Sequence, residues 1–159
     1  MIKRTCRLLL LIASLFPFAG MLAAETIVSK ADVELFFSMR RAEWEAYAPR
    51  IADPKWKVRL RQMDTGTGVM ALDPSTGIGL SIQPLYSDSN SPPTMVVVGS
   101  YYPVGKSPPG GLAETAKQIE QEAQRGLGDL YVVSARYVRM PPSWQGIELS
   151  VTRANDASR

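Results

Sequence analysis

The chain has 159 residues, with 18 Lys and Arg, 15 Asp and Glu, no His and a single Cys. The absence of His excludes Ser-His-Asp and Cys-His catalysis, and every zinc site that uses His ligands. Residues 1–24 hold three basic residues and no acidic one, so the remainder carries 18 minus 3, or 15, basic residues against 15 acidic ones. This neutral remainder gives no reason to expect nucleic acid or an anionic membrane as a partner.

Residues 1–24 follow the order of a secretory signal peptide. A short basic stretch precedes an apolar run over residues 8–22, and two alanines stand before Glu25. Pro17 and Gly20 interrupt the run, which is shorter than the roughly 20 apolar residues of a spanning helix. We predict that the signal peptide is cleaved, which places the protein in the periplasm or outside the cell without a stable membrane anchor. The alternative is a leader that is retained as an anchor.

The chain after the leader is predicted to form a single domain over residues 25–153, followed by a disordered tail over residues 154–159. The only Cys, Cys6, lies in the leader. The mature protein would therefore have no disulfide and no thiol chemistry, and its stability would come from packing. We expect neither a cofactor nor a metal, and the oligomeric state is open.

The first element of the domain is predicted to be a helix over residues 29–48. Ser29 and Asp32 form a capping-box-like start, and apolar residues recur at helical spacing until Pro49 ends the pattern. Arg40 interrupts the apolar stripe. The stripe indicates an amphipathic helix.

Three strands are predicted next, because apolar and polar residues alternate with period two. They cover residues 56–63, 69–72 and 78–85, and the segments 64–68 and 73–77 between them have the composition of turns. The pattern is typical of an antiparallel meander.

The second half of the domain begins with a continuous apolar run over residues 95–98, which predicts a central strand covered on both faces. A helix is predicted over residues 112–127, and two further strands are predicted over residues 130–139 and 147–152. The buried stripe of this helix is predicted to contain Leu112, Ala116, Ile119, Ala123 and Leu127.

The order of these elements is helix, about four strands, helix and two strands, which favours an α+β fold. We predict one twisted antiparallel sheet of about six strands, with two helices packed mainly on one face.

A basic row is predicted on the first strand, where Lys57, Arg59 and Arg61 share one face. The row is a candidate binding site for an anionic ligand or an acidic partner. The alternatives are a solvated face, with or without pairing to acidic residues of a neighbouring strand, and a charged edge that blocks unwanted strand pairing.

Aromatic residues near the predicted strand ends form a second candidate contact surface, for a protein or a glycan. The residues are Tyr101, Tyr102 and Trp144, and Tyr86 lies in a similar position. The alternative is that these side chains complete the core.

Two short motifs carry less weight. Asp64, Thr65 and Gly66 form the tripeptide of aspartic proteases, but polar residues precede it, and the same residues are ordinary in a hairpin turn. The oxygen-rich residues 88–91 lack the further carboxylates that a calcium loop needs.

These observations favour a non-enzymatic exported module that binds a protein partner in the cell envelope, as an accessory, inhibitor or immunity-type protein. The alternative is a binder of a small anion or a glycan through the basic row. A carboxylate-based hydrolase that uses Asp64 is the remote alternative.

Overall fold

The computed structural model describes residues 29–50, 57–63, 66–75, 77–105, 111–140 and 142–156. The predicted signal peptide, Trp56, Asp64 and the end of the predicted tail lie outside these residues. Residues 154–156 form a turn, in which the N–H of Asp156 donates to the carbonyl of Arg153 at 3.0 Å.

Within the described residues the chain forms three α-helices, one short 3-10 helix and six strands. The helices are α1 (Lys30–Ser38), α2 (Arg41–Tyr47) and α3 (Leu112–Leu127), and the 3-10 helix is Ala48–Arg50. The strands are β1 (Lys57–Met63), β2 (Gly66–Leu72), β3 (Gly79–Leu85), β4 (Met95–Pro103), β5 (Tyr131–Met140) and β6 (Trp144–Arg153). None of the described helices is both long enough and apolar enough to cross a membrane.

All six strands form one open antiparallel sheet in the order β1-β2-β3-β4-β6-β5. This confirms the predicted α+β class and the antiparallel sheet of six strands. The strand order departs from the chain order at one place, because β6 lies between β4 and β5. As a result, β1 and β5 are the two edges of the sheet.

The core is one cluster that joins the buried side chains of the helices with every second residue of the strands. One row of the cluster crosses four strands through the paired residues Val69, Ile82, Val98 and Leu149. We call the strand positions in this set the inner face of the sheet. The alternate positions, whose side chains point the other way, form the outer face.

Helix α3 has the bounds that the sequence predicted, and all five residues of its stripe are buried. The helix contacts β5 and β6. It ends at Gly128, whose φ of 74° lies in the left-handed region and whose N–H donates to the carbonyl of Gln124. The amphipathic pattern alone was therefore sufficient to place this element.

The predicted single helix over residues 29–48 is wrong, because extended backbone at Met39 and Arg40 divides it into α1 and α2. Helix α2 has a start of its own, since Glu43 Oε2 accepts a hydrogen bond from the N–H of Arg40 at 2.8 Å. After the break, Trp44 is fully buried and packs edge-to-face on Phe36.

Strand β4 lies inside the sheet, but the prediction that it is covered on both faces is wrong. Val96 and Val98 on the inner face are buried, whereas Met95 and Val97 on the outer face are half-buried. Burial alternates along this strand because the core cluster, which includes the buried side chains of the helices, contains the residues at its inner positions.

Replacement of Trp44 by Phe tests the hydrogen bond that ties α2 to the sheet. Trp44 Nε1 donates to the carbonyl of Thr67 at 2.5 Å, and both residues are buried. Trp44→Phe leaves this carbonyl without its donor and leaves a small cavity, so we expect a loss of about 2–3 kcal/mol in the free energy of unfolding.

Urea unfolding followed by circular dichroism measures this loss. The control is Leu130→Ala, which truncates a side chain that is 67% exposed and should cost less than about 0.5 kcal/mol. Equal midpoints for the two variants would contradict the assigned role of Trp44.

Candidate binding surface

The basic row lies on the outer face of β1, at one edge of the sheet, and its three side chains are exposed. Their partners on β2 are Leu72 opposite Lys57, Met70 opposite Arg59 and Gly68 opposite Arg61. The ion pairs among the described residues lie elsewhere, between Arg41 and Glu45 and between Arg136 and Glu148. The pairing of the row with acidic residues of β2 is therefore wrong, whereas a solvated face without such pairing stays open as an alternative.

The other side of β1 is more open than its alternating sequence suggests. Leu60, which alternates with the basic residues and therefore lies on the opposite face, is 46% exposed. The physical reason is the position of β1 as an edge strand, which has a neighbour on one side only. The strand thus has the edge position that the charged-edge alternative requires.

The two tyrosines predicted for a contact surface are buried, with Tyr101 5% exposed and Tyr102 7% exposed. They are successive residues of β4, so they point to opposite faces. Tyr102 is part of the core cluster, and Tyr101 lies on the outer face. Little of either ring is left for a partner, whereas Trp144, opposite Pro103 on the outer face, is half-buried.

Tyr101 is the centre of a hydrogen-bond network that crosses the outer face from β3 to β5. Its Oη donates to Glu148 Oε1 at 2.9 Å and lies 3.1 Å from Ser81 Oγ. Arg136 donates to Glu148 Oε2 through Nε at 3.1 Å and Nη2 at 2.7 Å. Burial raises the pKa of Tyr101 to about 12, and the nearby charge of Glu148 acts in the same direction. The phenol therefore stays protonated and the carboxylate is paired, which is typical of a structural network.

Two glycines let the Tyr101 ring lie against the sheet. A Cβ atom at Gly99 would stand 2.5 Å from Tyr101 Oη, and one at Gly146 would stand 2.7 Å from Tyr101 Cδ1. Any larger residue at these positions would lift the ring and open the network. The sequence does not reveal this arrangement, because it depends on the register of β4 against β6.

The oxygen-rich loop after β3 bonds to itself. Asp88 Oδ1 accepts hydrogen bonds from the N–H groups of Asn90 and Ser91, each at 2.8 Å, and Oδ2 accepts one from Ser91 Oγ at 2.6 Å. These bonds, led by the one from the Ser91 side chain, lower the pKa of Asp88. No group of three or more potential metal-ligating His, Cys, Asp or Glu side chains occurs in the described part of the chain. Asp64 lies outside it, so the hydrolase alternative stays a prediction.

Two acidic residues of the helices, Glu45 and Glu120, have specific partners. Glu45 Oε1 accepts hydrogen bonds from Arg41 Nε at 3.2 Å and Thr67 Oγ1 at 3.1 Å. Glu120 Oε2 accepts one from the backbone N–H of Ala135 at 2.6 Å. Arg41 lies one helical turn before Glu45, but Thr67 and Ala135 come from distant parts of the chain, so helical spacing alone does not predict these two contacts.

Comparison of this chain with protein-family models, with curated proteins and with solved structures finds no match. The function must therefore be inferred from the residues of the outer face and its edge.

Removal of the Tyr101 hydroxyl group should change the stability of the protein at high pH. The pKa values of Tyr86, Tyr101 and Tyr102 are raised from 10 to about 12, chiefly by burial. A raised pKa means that the folded state holds the proton more tightly, so this stability is complete below pH 10 and is lost as the pH rises towards about 12. The wild-type protein should therefore lose stability over this range.

Tyr101→Phe should lose less stability than the wild type over the same range, because one of the three phenols is absent. At pH 7 the variant should be less stable by about 1 kcal/mol, since Glu148 and Ser81 lose a hydrogen-bond partner. Urea unfolding at a series of pH values measures both effects. Parallel stability curves for the two proteins would contradict this account of Tyr101.

Proposed function

We propose that this protein is a small non-enzymatic module, exported to the cell envelope, that binds a protein partner through the outer face of its sheet. Towards that partner, this protein would act as an accessory, inhibitor or immunity-type protein. The observation that carries the proposal is the basic row on β1, three exposed cations with no acidic residue opposite them on β2.

The chemistry beside the row supports a protein as the partner. Met70 and Leu72, which stand next to the row on the outer face, are half-buried, and Val132 on the far edge is 46% exposed. A surface that combines apolar area with unpaired charge at its rim is typical of protein interfaces, where the charge selects the partner and speeds association. The partner's surface would be apolar with an acidic rim.

The proposal takes the helices to lie on the inner side of the sheet. Their buried side chains share one cluster with the inner-face residues, among them Phe36 of α1, Trp44 of α2 and Leu127 of α3. Among the described residues, this packing would leave the outer face as the broad surface of the sheet that is open to a partner.

A second candidate is a binder of a small anion or a glycan through the same cations. The favouring observation is again the row, because Lys57, Arg59 and Arg61 are spaced along one strand and none of them forms an ion pair with a described residue. Inorganic phosphate and a sulfated oligosaccharide are suitable probes, since stabilisation by either one against heating should disappear when the row is neutralised.

Photo-crosslinking in the native host tests the proposed function. A photoreactive residue at Met70, beside the row, should capture one envelope protein, whereas the same residue at Lys117, exposed on α3, should not. The variant Lys57→Gln/Arg59→Gln/Arg61→Gln should reduce this capture by about tenfold, because three exposed charge pairs each contribute up to about 1 kcal/mol.

The matched control is Lys30→Gln/Lys117→Gln/Arg125→Gln, which removes the same charge from exposed helix residues and should leave the capture from Met70 unchanged. Capture that is equal from Met70 and Lys117, or equal loss in both triple variants, would contradict a partner at the outer face. Stabilisation by phosphate without any captured protein would favour the second candidate.

A further inference from the structure

The two edges of the sheet differ in what their backbone groups bind. In an antiparallel edge strand, the N–H and C=O groups of every second residue point away from the sheet and are left unpaired by it. Strands β1 and β5 are the edge strands here. Each could therefore pair with a further strand unless another part of the molecule occupies those groups.

Helix α3 occupies the edge of β5 with side-chain hydrogen bonds. Gln124 Oε1 accepts from the N–H of Val133 at 3.0 Å, and Gln124 Nε2 donates to the carbonyl of Tyr131 at 2.9 Å. Glu120 Oε2 accepts from the N–H of Ala135 at 2.6 Å. A strand that added here would have to displace these bonds, so the first half of β5 is closed to strand addition.

The edge of β1 has no such cover from the described residues. Met63 pairs with Gly66 across a two-residue connection, so these residues exchange ladder hydrogen bonds and the pattern alternates from there. The N–H and C=O groups of Val58, Leu60 and Gln62 consequently point away from β2. No backbone or side-chain hydrogen bond from the described part of the chain reaches these groups.

The charge on β1 selects among the strands that could add to this edge. A second copy of β1 in antiparallel pairing would bring two basic rows side by side on the same face, and like charges on adjacent strands are destabilising. A strand with carboxylates at alternate positions would instead place them beside Lys57, Arg59 and Arg61, at the strand spacing of about 4.8 Å. The edge thus disfavours self-association and favours an acidic strand.

We propose that β1 binds an extended acidic segment of the partner protein as an additional strand of the sheet. This inference rests on the proposed function, because it names the chemistry of that partner. Backbone hydrogen bonds to Leu60 and its neighbours would supply affinity, and the basic row would supply selectivity for acidic side chains, as in other cases of strand addition.

A synthetic peptide that alternates Glu with Thr, and has the 7 residues of β1, tests the inference by nuclear magnetic resonance. Binding should shift the amide signals of Leu60 and Gln62 and slow their hydrogen exchange, while Val133 and Ala135 stay unchanged. The same peptide with N-methyl groups on alternate residues keeps the charge but loses its edge donors, and should bind at least about tenfold more weakly. A Lys-Thr peptide should not bind.

Two substitutions of Leu60 separate the backbone from the side chain. Leu60→Pro removes the outward N–H without removing a bond to β2, which is the position where an edge strand tolerates Pro. Leu60→Thr removes the same side chain and keeps the N–H. The Pro variant should lose peptide binding and the Thr variant should retain it, with circular dichroism showing that both are folded.

Equal binding of the plain and N-methylated peptides, or no binding of the plain peptide up to about 1 mM, would overturn the inference. If photo-crosslinking from Met70 still depended on the basic row in that case, the proposed function would stand and the partner would bind the face alone. If that dependence were also absent, the crosslinking result by itself would contradict the proposed function.

Discussion

An open sheet has two edges with unpaired backbone groups, and the rest of this structure depends on what happens at those edges. Burial of apolar side chains can hold the strands together, but it cannot satisfy the N–H and C=O groups that point away from the sheet. In this protein Gln124 and Glu120 bond to the outward groups of β5, whereas the edge of β1 has three cations beside it. The edge of β5 is closed by internal hydrogen bonds, and the edge of β1 is positively charged.

The closed edge follows from the placement of α3, which in turn follows from its apolar stripe. Ile119 and Ala123 are buried, so the residues that follow each of them, Glu120 and Gln124, lie at the margin of the buried stripe, within reach of β5. The sequence predicts the stripe and the bounds of the helix because its period is regular. It cannot predict that Glu120 and Gln124 bond to a strand, because their partners are set by the strand order, which no local pattern contains.

The difference between local sequence patterns and contacts set by the strand order also explains which of the other predictions are correct and which are wrong. Period-two alternation predicts the first three strands and the face of the basic row. It does not predict the break at Met39, because the apolar stripe resumes after its interruption at Arg40 and the capping role of Glu43 is not part of that pattern. For Tyr101 and Tyr102, proximity to a strand end said little about exposure. The glycines beneath Tyr101 and the bond to Glu148 bury it, and both depend on the register of strands that are distant in the sequence.

The two edges should differ in amide hydrogen exchange, measured on the free protein at residue resolution. The N–H groups of Val133 and Ala135 should exchange slowly, because side chains of α3 accept their hydrogen bonds, whereas that of Leu60, which points away from β2, should exchange at a rate close to that of an unfolded chain. Fast exchange at Val133 and Ala135, or slow exchange at Leu60, would contradict an edge of β5 that α3 closes and an edge of β1 that the described residues leave open.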